Sequence, residues 1–151
     1  MVKKTKDLKY YEGVGRRKEA IARVRLFITG KDKTVTVEGN KLKSGEILIN
    51  KKPADLIFPK NAEKNIYLQP LKITQNENRF ALIILTKGGG KNGQLDAIAH
   101  GLARALEKVD KEAYRPLLKK QGLFTRDSRT RERRKVGTGG KARRAKQSPK
   151  R

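Results

Sequence analysis

The chain of 151 residues carries 39 Lys and Arg against 15 Asp and Glu, a net charge of +24, which fits one domain made to meet a polyanion. It has no cysteine, so disulfides, thiolate metal sites and cysteine nucleophiles are excluded. Its longest apolar run, Ala81 to Leu85, falls far short of the ~20 residues of a membrane span, and the basic start (Lys3, Lys4, Lys6) leads into no apolar stretch, so no secretory signal is expected.

Residues 1–9 read as a basic arm, and residues 10–122 as a globular body. At the head of the body stands Gly13-Val14-Gly15-Arg16-Arg17-Lys18-Glu19-Ala20. Its glycines are expected to let the chain turn closely, and Arg16, Arg17 and Lys18 to reach phosphate or a guanine edge. The plain alternative is a solvated charge run. Ala20 to Ile28 alternates with a period of two and predicts a strand, along which Arg23 and Arg25 extend a basic face. Gly30 to Lys33 predicts a turn, Thr34 to Val37 a short strand, Glu38 to Gly45 a loop or hairpin end, and Ile47 to Ile49 another strand. Pro53 to Phe58 and Ala62 to Tyr67 read as short helical pieces, with Pro70 ending the second because the residue before proline avoids the helical region. Leu71 to Thr74 and Phe80 to Leu85 then read as strands around a turn; the latter is apolar on both faces and should be central.

Gln94 to Val109 is the clearest helix, with Leu95, Ile98, Ala99, Leu102, Leu106 and Val109 in one stripe. Gly101 in its interior costs about 1 kcal/mol, so a close approach of helix backbone to sheet is expected. A second helix, Glu112 to Lys120, should stop at Gly122. The expected fold class is therefore α+β, a two-layer sandwich of four or five strands covered by helices.

Gly88-Gly89-Gly90-Lys91-Asn92-Gly93-Gln94 formally contains the dinucleotide fingerprint. That fingerprint needs a second parallel strand ending in an acidic residue, and a phosphate-binding P-loop needs Gly-Lys-Ser/Thr; neither follows. What remains is a tight glycine turn into the helix, or a backbone that meets nucleic-acid phosphate through Gly88, Gly89, Gly90 and Lys91. His100, the single histidine, lacks companions for a metal site and reads as a hydrogen-bonding surface residue or an RNA contact. No carboxylate pair or serine is placed for acid–base or nucleophilic work, so no enzyme and no cofactor is expected.

Beyond the body, residues 123–151 form a basic tail. From Arg126 onward it holds twelve cations against two acids, with only Val136, Ala142 and Ala145 as apolar residues. Such a segment cannot offset its ordering entropy by burial and is expected to order only on phosphates. Arg126, Arg129, Arg131, Arg133, Arg134, Lys135, Lys141, Arg143, Arg144 and Lys146 are its candidate RNA contacts. A solubilising or localisation segment is the alternative.

The run from Gly88 to Leu106, with Gly93-Gln94, Ala97, Gly101, Ala103 and Arg104, resembles the bacterial-type small-subunit ribosomal protein nine family. So do Tyr11 to Ala20, Gln69-Pro70-Leu71, Leu118 to Arg129, Lys141 to Ala145 and the closing Lys150-Arg151, in order along the chain. The resemblance implies a fold like the second domain of ribosomal protein five with a left-handed β-α-β unit, and a structural place in the head of the small subunit. The implied partners are small-subunit ribosomal RNA, neighbouring head proteins and peptidyl-site transfer RNA, the last met by Lys150 and Arg151. Two features depart from the family. Thr34 to Gly45 is extra length before the second strand, and Gln147-Ser148-Pro149-Lys150-Arg151 stands where Gln-Phe-Ser-Lys-Arg is common. A free-standing architectural DNA-binding protein is the rival reading; the best helix is small, apolar and poor in cations, unlike a recognition helix.

Overall fold

A computed structural model describes residues 10–29, 34–37, 40–134 and 136. The arm 1–9, the turn 30–33, and Lys135, Lys141, Arg143, Arg144, Lys146, Lys150 and Arg151 of the tail lie outside the described residues. The chain forms a mixed α+β body, beginning with β1 (Tyr10–Arg17) and β2 (Ala20–Ile28). The hairpin β3 (Thr34–Val37) and β4 (Asn40–Lys43) follows, then β5 (Ile47–Ile49) and β6 (Lys52–Pro53). Helices α1 (Ala54–Ile57) and α2 (Asn61–Ile73) lead to β7 (Phe80–Lys87), and α3 (Lys91–Val109) and α4 (Lys111–Lys120) complete it. The main sheet has five strands in the order β1-β2-β7-β5-β6. Strand β7 is antiparallel to β2 and parallel to β5, so the strand that is apolar on both faces does lie at the centre.

One sheet face, formed by Ala20, Ala22, Val24 and Leu26 of β2 and Phe80, Leu82 and Ile84 of β7, is buried together with Tyr67, Leu71, Leu95, Ile98, Leu102 and Leu106 of the helices. The period-two alternation places Phe27 and Ala81 on the other face, where they bury with Leu48 and with Val35, Val37 and Leu42 of the small hairpin. The extra segment Thr34 to Gly45 therefore has a packing role: it covers apolar positions that the helices cannot reach. The stretch Glu38 to Gly45, expected as a loop or hairpin end, contains a strand, β4, whose antiparallel pairing with β3 from Thr34↔Lys43 to Val37↔Asn40 fits the hairpin.

Two further expectations are corrected. The stretch from Gly13 to Arg17 is not a turn before the first strand; it belongs to β1, paired with β2 over eight residues, and the turn is only Lys18-Glu19. Lys18 takes φ 51°, the positive value that two-residue hairpins use. Helix α2 does not end before Pro70, and Leu71 to Thr74 is no strand. Proline inside a helix removes one ladder bond, at about 3 kcal/mol. Here Tyr67, Pro70 and Leu71 are all buried on one helix face, and full burial of a large apolar side chain is worth about 1.5–3 kcal/mol. Packing thus overrides the local preference, and the Thr74 hydroxyl closes the helix end by donating to the Pro70 carbonyl at 2.9 Å.

Helix α3 starts at Lys91, one turn before Gln94. It crosses the inward face of β1 at backbone contact. A Cβ on Gly13 would stand 2.2 Å from the Gly101 carbonyl oxygen, and one on Gly15 2.0 Å from that of Ala97. The close approach expected at Gly101 is real, and β1 supplies the matching glycines. Asp110 caps α4 by accepting from the Ala113 N–H at 3.0 Å. Gly122, at φ 69°, ends it as foreseen: the N–H groups of Gly122 and Leu123 donate to the carbonyls of Lys119 and Leu118, a Schellman closure. Leu123 and Phe124 then pack back onto the core.

Candidate nucleic-acid interface

The two basic motifs singled out in the sequence, Arg16 to Lys18 and Gly88 to Lys91, lie together at one end of the sheet. Ile21 pairs with Lys87, so the β1–β2 turn stands beside the loop that follows β7. Gly88 and Gly89 take φ 75° and 62° and back directly onto this turn; a Cβ on Gly88 would meet the Glu19 carbonyl oxygen at 2.6 Å and one on Gly89 the Ala20 nitrogen at 2.9 Å. Their need for glycine is met within the protein. Gly90 has open space around its Cα and precedes the first turn of α3, whose early N–H groups have no intrahelical partner. Lys91 is partly drawn inward: its Nζ lies 2.9 Å from Glu63 Oε1 and 5.8 Å from the centre of the Phe58 ring. This hydrogen bond holds the Glu63 carboxyl below the usual carboxylate range. Arg16 and Lys18 are exposed and, among the described residues, their side chains make no ion pair.

Arg17 has a different position. Its side chain is only 15% exposed, and its guanidinium faces the start of the tail. Nη1 donates to the carbonyls of Asp127 at 3.2 Å and Arg129 at 2.7 Å. Nη2 meets the Asp127 carboxylate at 3.1 Å, and Nε the Asp96 carboxylate of α3 at 3.4 Å. One side chain at the end of β1 thus ties α3 to the first residues of the tail. Asp127 is held far below the usual carboxylate range by side-chain and backbone hydrogen bonds from Arg129, with Arg17 adding to it. Arg131, Arg133 and Arg134 follow, exposed. Arg23 lies elsewhere, on the outward sheet face, where it and Arg25 hold Glu12 at 2.8 and 3.2 Å.

The sequence reading missed a third feature. β1 is an edge strand, and α3 bonds two of its backbone groups. His100 Nδ1 accepts from the Arg16 N–H at 3.4 Å, and Arg104 Nη1 donates to the Val14 carbonyl at 2.8 Å. The hydrogen-bonding role expected for His100 holds. The i, i+4 spacing of the pair was visible; what it faced was not. Burial, then the positive charge of Arg104, depresses the His100 pKa below its ordinary 6.5, against the opposing effect of backbone hydrogen bonds at Arg16 and Phe124. The folded state therefore prefers neutral imidazole. Its contribution to stability is complete above the unfolded pKa of 6.5 and is lost as pH falls through the folded value. The melting temperature should fall from about pH 7.5 to about pH 5.5, where histidine is the side chain that titrates, and the fall should be smaller in His100→Gln. Equal slopes in the two proteins would show that the imidazole is not coupled to folding.

Glu12, Glu63, Asp96, Glu107 and Asp127 are each engaged by Lys or Arg, and no cluster of metal-ligating side chains occurs among the described residues. No described helix is long and apolar enough to cross a membrane.

The chain is similar to known proteins along nearly its whole length. Proteins called small ribosomal subunit protein uS9, from two strains of Dehalococcoides mccartyi, are 45% identical over 142 residues, covering 94% of this chain and 96% of their own length. The same protein from a third strain is 44% identical over the same span. The family model described as ribosomal protein S9/S16 matches residues 15–151, a stretch that takes in the β1–β2 turn, the glycine loop, α3 and the whole basic tail. On that match and on the relatives' full-length similarity, the chain belongs to the ribosomal protein S9/S16 family.

Proposed function

We propose that the protein is a structural, non-enzymatic constituent of the small ribosomal subunit in the cytoplasm, bound to small-subunit ribosomal RNA in the head beside neighbouring head proteins. The observation that carries this reading is the gathering of cations at one end of the body: Arg17 holds Asp127 and Arg129 against the strand that presents Arg16 and Lys18. Body and tail thereby offer one cationic tract, as phosphate-positioning contacts require. In this reading Gly90 and Lys91 approach RNA at the start of α3, and Arg23 serves the outward face. The arm 1–9 and the tail beyond Arg129 order on RNA around a body of residues 10–122, onto which Leu123 to Arg129 fold back. The family resemblance further implies a left-handed crossover from β5 to β7 and the architecture of the second domain of ribosomal protein five; the parallel β5–β7 pair joined through α2 is consistent with both.

The full-length protein should co-sediment with small subunits, leave them only at high salt, and prefer small-subunit ribosomal RNA to duplex DNA in competition. Equal retention on DNA would favour an architectural DNA-binding role, which α3 suits poorly because its apolar face is buried in the core. The same reading brings Lys150 and Arg151 to peptidyl-site transfer RNA. Deleting both should leave subunit assembly intact and speed release of transfer RNA from that site, alike for different transfer RNAs, because phosphate contacts are sequence-blind. Equal release rates would remove this contact.

A further inference from the structure

Next to the edge of β1 lies a cleft of about 460 Å³, formed by β1, α3, α4 and residues 124–126. Arg16, Arg104, Arg115, Lys119 and Arg126 line it, with Glu107 as its one acidic side chain. Arg16 comes from β1, and the other four from α3, α4 and the stretch after it, within residues 104–126. Arg115 is paired with Glu107, and Arg104 is oriented by the Val14 carbonyl. Arg16, Lys119 and Arg126 make no ion pair among the described residues. We propose that this cleft seats a backbone phosphate of an RNA strand. The proposal rests on the RNA-binding reading above and gives it a specific site.

Three observations support phosphate. Like charges collected in one concave site repel each other more strongly than on an open surface, and the protein supplies too few acids to balance them. Four of the five are arginines, from β1, α3, α4 and residue 126, and their planar forks suit phosphate oxygens bidentately. Val14 and Phe124 add apolar surface to the lining, which suits the sugar and base flanking a phosphate. The site is also continuous with the tail. Arg126 lines the cleft, and the exposed Arg129, Arg131, Arg133 and Arg134 lead away from it, as a polyanionic strand would need. An acidic peptide of a neighbouring protein would use the first of these features without the continuation. His100 in the lining already feels the cations Arg104 and Arg126, and it is the only histidine in the chain, so it reports on the site.

The test uses the full-length protein and fragments of small-subunit ribosomal RNA. Replacing Arg16, Lys119 and Arg126 together by Gln should make the log–log salt dependence of binding shallower by about two units, at ~0.7 per single-strand phosphate. The charge-matched variant with Lys41, Lys43 and Lys52 replaced by Gln, all away from the β1 edge, should change it by less than about one. Melting of each variant confirms that the fold is kept. Independently of any variant, the single imidazole resonance of the wild-type protein should shift its titration when RNA binds, because a seated strand changes both the burial of the ring and the field of Arg104 and Arg126 around it. An unchanged slope in the cleft variant together with an unmoved imidazole would overturn the site while leaving RNA binding intact. Failure of the wild-type protein to bind the RNA would overturn the underlying reading. Loss of a neighbouring acidic protein from reconstituted subunits, with RNA binding unaltered, would assign the cleft to a protein and overturn the proposal.

Discussion

Gly15→Ala is expected to destabilise the body by about 3 kcal/mol or more, the upper range for overpacking, and to lower the melting temperature by about 10 °C. The added methyl would stand 2.0 Å from the Ala97 carbonyl oxygen and 2.3 Å from the Gly101 nitrogen. Both are helix backbone, so no rotamer change can relieve the clash. Strand β1 cannot retreat without breaking its eight-residue register with β2, nor α3 without uncovering Leu95, Ile98, Leu102 and Leu106. Gly13→Ala meets the same obstacle at Gly101 and Ala105. Gly101→Ala is milder, since its nearest neighbours stand at 3.0 Å and alanine recovers about 1 kcal/mol of helix propensity. Gly90→Ala, with open space and φ −98°, should be close to neutral. Thermal melts of the four variants check the order. A Gly15→Ala protein within about 0.5 kcal/mol of wild type, the range of inert surface changes, would mean that helix and strand do not touch as described.

Truncation after Arg129 should produce the largest change in RNA binding. It removes ten cations and one acid while sparing the Arg17 contacts to Asp127 and Arg129. If half of those cations rest on phosphate, the log–log salt slope becomes shallower by about four units, at ~0.7–0.9 per phosphate. The melting temperature should stay near that of the full chain, because Arg131, Arg133 and Arg134 are exposed and unpaired among the described residues. Ending the chain one segment earlier, after Thr125, should lower stability as well, since Arg17 would lose its partners in the tail. Affinity measured across a salt series separates the two effects. An identical slope for the full and truncated chains would show that the tail contributes no phosphate contacts.

The sequence by itself determined the charge of this protein, the strand from Ala20 to Ile28, the central place of Phe80 to Leu85, the long helix, and the second helix with its stop. The Gly122 stop belongs to the shorter helix that follows the long one, α4. These features are legible because period, apolar content and glycine geometry act locally. It also marked Arg16 to Lys18 and Gly88 to Lys91, since runs of cations and glycines are contiguous in the chain. It misjudged Pro70, where a local backbone preference competes with burial of Tyr67 and Leu71 and loses. It could not read Gly13 and Gly15 as strand residues, because a strand glycine has no side chain to show the alternation, and its purpose here lies in a helix more than 80 residues away. Only the tertiary structure decided which cations face solvent and which hold the protein together. Arg16 and Arg17 are neighbours in sequence, but strand alternation turns the first outward and the second inward, onto Asp96 and Asp127. Arg115 and Lys119 share the i, i+4 spacing of one helix face, but nothing local joins them to Arg104; they line one cleft because α3 and α4 pack beside the edge of β1, and that packing is a property of the whole core.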